Sequence, residues 1–87
     1  MLRVKVQRLR QGLHPNEVIV AVKTADGSSE ELIVDKRSLR NDDTLRVGYP
    51  VAGESDRLLV ELPRETFRGT NRVWVFADSL VSDEAAA

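Results

Sequence analysis

An all-β fold, a single small antiparallel barrel or roll of roughly five to six strands, is what this 87-residue chain predicts. Three observations lead there. Apolar residues recur with period two in almost every stretch between turns, the spacing of a strand with one buried face. Clusters built on Gly, Pro, Asn and Asp separate those stretches at short intervals. No segment carries an apolar stripe of useful length at helical spacing, so no helix is at hand to cover a sheet. A sheet of this size must then curl on itself or fold over.

The first strand is LRVKV, with Leu2, Val4 and Val6 toward the core and Arg3, Lys5 and Gln7 toward water. Leu9 falls out of that phase, which predicts a bulge or strand end near Arg8. QGLHPN, punctuated by Gly12 and Pro15, is a turn. EVIVAVKT and EELIVDK are two strands joined through ADGSS, and the Asp-Gly step marks a hairpin. A two-residue loop, Asp26-Gly27, would set Val20 opposite Ile33. A three-residue loop, Ala25-Asp26-Gly27, sets Val20 opposite Leu32 and Val18 opposite Val34. The longer loop gathers Val18, Val20, Val22, Leu32 and Val34 on one face and gives Gly27 a left-handed conformation. Register follows the buried face, so the three-residue loop is expected.

KRSLRNDD is a loop or single helical turn anchored by Leu39. TLRVGYPV resumes alternation, with Leu45, Val47, Tyr49 and Val51 on one face and Pro50 marking an edge. AGESD turns the chain, and RLLVELP returns with Leu58, Val60 and Leu62 inward. RETFRGTN is a loop around Phe67 and Gly69. RVWVFA is the last strand and DSLV a closing turn. One β-barrel domain is expected over residues 1–81, with a disordered tail over 82–87. No internal repeat is visible.

At 41% hydrophobic, 31% charged and net charge −1, the chain reads as an ordinary globular protein. It has no cysteine to build a disulfide framework. The opening MLRVKVQRLR has no apolar core of a signal peptide, and no run is long enough to cross a bilayer. A soluble cytoplasmic protein with no membrane association is therefore expected. Charge is unevenly spread. Residues 1–10 carry Arg3, Lys5, Arg8 and Arg10 and no acid, whereas residues 11–35 set Lys23 against Glu17, Asp26, Glu30, Glu31 and Asp35. Antiparallel neighbours of opposite sign pair across strands, so the basic N-terminal strand is expected to be structural, facing water or acids.

Chemistry is sparse. The single histidine, His14, lies between Leu13 and Pro15 in a loop, where a lone imidazole is more often a solvated surface group than a base. One His and no Cys leave no zinc set, and Glu30-Glu31 and Asp42-Asp43 lack the spacing of a calcium loop. No glycine-rich phosphate loop is present. The reading is of a protein that is not an enzyme and takes no cofactor or metal. The aromatic strand is the exception to this blandness. Val73 and Val75 suit a crowded interior, which turns Trp74 and Phe76 outward. There Leu13, Pro15 or Phe67 from neighbouring loops could fold over them, or another chain could cover them.

RVWVFADSLV, an aromatic-valine strand followed by a short turn and a final apolar residue, resembles the closing segment of SH3-like barrels. The resemblance spans about ten residues and implies an SH3-like small barrel. The aromatic-acidic stretch of peptide-binding SH3 domains is not found at the N-terminus, so proline-rich ligands are not implied. The expected function is a non-enzymatic module that binds a protein partner or its own copy, with Phe67, Arg72, Trp74 and Phe76 as candidate partner-binding residues. The alternative is an RNA- or single-stranded-DNA-binding barrel, since Arg64, Arg68 and Arg72 surround Phe67. Glu65 interrupts that cluster and the chain is slightly acidic, so nucleic acid is not the favoured partner.

Overall fold

The computed structural model describes residues 2–82. Their regular structure is β1 (Leu2–Lys5), β2 (Gln7–Gln11), β3 (Glu17–Lys23), β4 (Ser29–Asp35), β5 (Thr44–Val47), β6 (Ala52–Glu54), β7 (Arg57–Glu61), β8 (Arg72–Phe76) and β9 (Leu80–Ser82), with single 3-10 turns at Lys36–Ser38 and Ala77–Ser79. The all-β class stands. The strand count does not: nine short strands form three antiparallel sheets, ordered β5-β1-β9, β2-β3-β4 and β6-β7-β8, and these do not close into a barrel. No helix among the described residues is long and apolar enough to cross a membrane.

The extra strands arise where long alternating stretches bend. After β1, the Val6 amide donates to the Asp43 carbonyl at 2.9 Å, and the chain then leaves β5 to pair with β3 as β2. The register slips between Arg8 and Arg10, where the phase break at Leu9 predicts it. After β5 the chain bends again, with Gly48 N–H donating to Glu61 O and Val51 N–H to Leu59 O. Alternation is not carried across that bend. Tyr49 and Val51, expected inward, are 71% and 50% exposed. The closing DSLV holds a turn and also a strand, since β9 pairs with β1. Ser82, expected in the tail, belongs to β9; the rest of that tail lies outside the described residues.

One core lies inside. Val4, Val18, Val20, Val22, Leu32, Val34, Leu45, Val47, Val60, Leu62, Val73 and Val75 are buried together with Leu39. The first hairpin takes the three-residue loop: Val20 pairs with Leu32, Val18 with Val34, and Gly27 has φ +88°. Leu39 closes the 3-10 turn that Asp35 caps by accepting from the Arg37 amide at 2.8 Å.

The reading of β1 needs one correction. Arg3 is not turned to water but is buried, with 7% exposure. Its Nε donates to Thr44 Oγ1 at 2.8 Å, and a terminal nitrogen donates to Thr44 O at 2.7 Å and Ser38 O at 3.0 Å. β1 is the middle strand of its sheet, and the Arg3 side chain is covered where it reaches Thr44 at the start of β5 and Ser38 in the 3-10 turn. A guanidinium tolerates that setting because its planar donors are occupied.

No repeat is visible in the sequence, yet the backbone carries one. A meander, a 3-10 turn and a strand beside β1 occur twice: β2-β3-β4 leading to β5, and β6-β7-β8 leading to β9. Thr24 N–H donates to Ser28 O and Gly27 N–H to Thr24 O; in the second unit Thr66 N–H donates to Thr70 O and Gly69 N–H to Thr66 O. Gly69 has φ +88°, like Gly27. Lys36 N–H to Asn16 O corresponds to Ala77 N–H to Asp56 O, each 2.8 Å. Each hairpin loop also reaches the last strand of the other meander, through Ala25 N–H to Trp74 O and Phe67 N–H to Glu31 O. Side chains hide this repeat, because hydrogen bonds between backbone groups place few demands on sequence.

Candidate functional site

The second meander sets three of the four candidate residues on one surface. β8 alternates, so Val73 and Val75 enter the core while Arg72, Trp74 and Phe76 share the outer face. β7 supplies their neighbours. Leu59 lies between Ala52 and Trp74, Arg57 between Glu54 and Phe76, and Glu61 opposite Arg72. Leu59 shows its character in the sequence: it is an apolar residue in the outward phase of RLLVELP.

Trp74, Phe76 and Leu59 are each half-buried. The loops expected to close over the two aromatics remain largely open, with Leu13 87% and Phe67 55% exposed. Arginines line the face instead. The Arg57 guanidinium lies 5.6 Å from the Phe76 ring centroid, within cation–π range. Arg72 Nε donates to Glu61 Oε2 at 3.1 Å across the strands. Phe67 does not belong to this strand face; its amide is bonded to Glu31 of β4.

Beside Trp74 is a pocket of about 240 Å³, lined by Thr24, Asp26, Glu30, Arg57, Arg72 and Trp74 among others. Asp26 is committed to its turn, accepting from Thr24 Oγ1 and the Ser28 amide. These two bonds hold its carboxyl below the ordinary range. Glu30 is different. It is nine-tenths buried, with 9% exposure, and its Oε1 is sealed from solvent with no hydrogen-bond partner among the described residues. Its Oε2 has one cation among the described residues, Arg68 at 3.5 Å, on a side chain that is 72% exposed. Sequence reading treats Glu30 as a solvated turn or strand acid. It is buried because it shares the inward phase of β4 with Leu32 and Val34, opposite Val22, and because Phe67 N–H to Glu31 O draws the second hairpin loop onto β4.

A wider hollow of about 630 Å³ runs beside β1 and β5, with Arg3, Arg37, Arg46 and Tyr49 in its lining. Arg3 is engaged by Thr44 and Ser38, and Arg37 forms a two-pronged contact with Asp35. That contact raises the Arg37 pKa above its ordinary value and lowers that of Asp35. No group of three or more His, Cys, Asp or Glu able to hold a metal occurs among the described residues. His14 is exposed, its amide donating to Glu17 Oε1 at 3.2 Å.

No protein-family model, curated protein or solved structure matches the chain.

Proposed function

We propose that this chain is a small non-enzymatic β domain, SH3-like in its closing segment, whose β6-β7-β8 face binds a protein partner. The carrying observation is the row Leu59, Trp74 and Phe76, half-buried, framed by Arg57 and Arg72 and left open by Leu13 and Phe67. Trp and Arg dominate the energetics of protein interfaces, and rigid aromatics offer contact area at low entropic cost. The SH3-like reading draws on the run of β8, a single 3-10 turn and β9 beside β1. A second copy of the chain or a single-stranded nucleic acid are the competing occupants. Against nucleic acid, Arg72 is paired with Glu61, and Asp56 lies 3.9 Å from Arg57, which weakens attraction for phosphate.

Site-specific photo-crosslinkers at Ala52 on this face and at Arg46 on β5 identify the face that is used. A protein captured from Ala52 and not from Arg46 is then purified and its affinity measured. Trp74→Ala should weaken binding by about 2 kcal/mol or more. A captured partner that binds Trp74→Ala as tightly as wild type overturns the assignment. Oligonucleotide binding that falls steeply with salt and needs Trp74 transfers the face to nucleic acid. A dilution series in which Trp74 emission reddens as oligomers dissociate transfers it to a second copy.

A further inference from the structure

We propose that the pocket beside Trp74 receives an arginine side chain from the protein partner. This rests on the protein-binding reading of the β6-β7-β8 face and names what that face recognises. The primary observation is the Glu30 carboxylate, buried in the lining of a pocket with one oxygen unpartnered among the described residues. A buried acceptor without a donor is costly, and a ligand that supplies the donor recovers that cost as affinity.

The pocket's charges suit a cation. The two arginines in its lining have their own acids close by: Arg72 binds Glu61, and Arg57 lies over Phe76 with Asp56 nearby. Asp26, also in the lining, is held by Thr24 and Ser28 and not by a cation. Among the described residues Glu30 meets only the long contact from Arg68, whose side chain stays mostly in water. Arg68 thus acts as an internal stand-in for the ligand, close enough to screen the carboxylate and too loosely held to satisfy it. The terminal torsion of a glutamate is soft, so when Arg68 swings away both oxygens can turn into the pocket.

Size and shape select arginine. At about 240 Å³ the pocket falls below the roughly 300–1,000 Å³ of small-molecule sites and suits one long side chain. A guanidinium presents a planar fork that matches a carboxylate and can lie against an indole, as an ammonium cannot. Trp74 is in the lining, its side chain on the adjoining outer face of β8.

The probe is N-acetyl-arginine methylamide, with the blocked citrulline analogue as a neutral isostere, titrated in physiological salt. The Glu30 amide and the Trp74 indole N–H are followed by NMR. Saturable shifts at both groups are expected with the arginine probe and none with citrulline. Glu30→Gln should weaken binding more than about tenfold. Arg68→Ala should strengthen it several-fold, because the internal competitor is gone; if Glu30 and Arg68 were only a structural ion pair, that variant would gain nothing. Since Arg68 is exposed, its variant keeps the test decisive even if Glu30→Gln fails to fold. Equal responses to arginine and citrulline overturn the proposal, as does weaker binding to Arg68→Ala. A partner whose affinity depends on Trp74 but not on Glu30 overturns the arginine pocket while leaving the docking face in place.

Discussion

The β2-β3-β4 meander carries Ile19, which is buried, Ala21 and Ile33 on its outer face, with Glu17, Glu31 and Asp35 and the basic Arg10 and Lys23 beside them; the β6-β7-β8 meander presents Ala52, Leu59, Trp74 and Phe76, with Arg57 and Arg72 alongside Glu54 and Glu61. Each is closed by a turn with glycine at φ +88° and followed by one 3-10 turn. The same backbone plan therefore carries aliphatic residues on one outer face and aromatic ones on the other. Aromatics on the second face are not demanded by the meander itself, which leaves them free to serve recognition. The hairpin loops differ in the same sense. The first is a tight three-residue loop, while the second carries Pro63, Arg64 and Glu65 before its turn and brings Arg68 to Glu30.

If one core joins the two meanders, breaking either should break both. Val20 and Val60 occupy matching places in the middle strands and are fully buried. Truncating either to Ala should cost about 2–4 kcal/mol in a single cooperative denaturant transition. Two separate transitions in Val60→Ala would show that the halves are independent. Next in size is the strand that both halves share. Arg3→Met leaves the carbonyls of Thr44 and Ser38 without their charged donor and should cost about 2 kcal/mol. Lys5→Met, two residues along and exposed, should stay within about 0.5 kcal/mol.

The two turns sharpen the comparison. A Cβ at Gly27 or Gly69 would meet nothing within 4 Å, so only the backbone resists a side chain there. Gly27→Val and Gly69→Val should each cost about 1–2 kcal/mol, and by similar amounts. A cost confined to Gly27 would show that the second turn relaxes where the first cannot. The smallest expected effect is one of acid. Asp26 and Asp35 have lowered pKa values, the first through Thr24 and Ser28, the second through Arg37. Their contribution is present above the unfolded carboxylate value, about 3.9, and is lost as pH falls through the lower folded values. The second meander has Arg68 and Phe76 at the corresponding places. Acidification should therefore release amide protection at Ser28 and Arg37 before Thr70, as read by hydrogen exchange. Simultaneous release would mean that the acids do not control their turns.

Legibility in the sequence followed the reach of the interactions. The Gly27 register was readable because one slip would turn Val20 and Leu32 to solvent. The outward placement of Trp74 and Phe76 was readable for the same reason, as was the anchoring of Leu39. Arg3 was not, since its burial depends on Thr44 and Ser38, distant in the chain, being folded against it. The bend at Gly48 displaced Tyr49 and Val51 from a pattern that continued past them in the letters alone. At the candidate site, period two already put Leu59 outward and Glu30 inward opposite Val22, whereas the contact of Arg68 with Glu30 depends on the second hairpin being placed against the first.

The shared strand β1 also has a consequence in time. It is made early, yet its partners β5 and β9 lie one in the middle and one at the end of the described chain. During synthesis β1 emerges and pairs on one side first, leaving an open edge until β9 appears. Folding that requires such distant pairing is slow for a domain of this size and exposes unpaired strand to other chains meanwhile. The basic residues of β1 and β2, Lys5, Arg8 and Arg10, then act as gatekeepers, keeping nascent edges apart by repulsion until the last strand arrives.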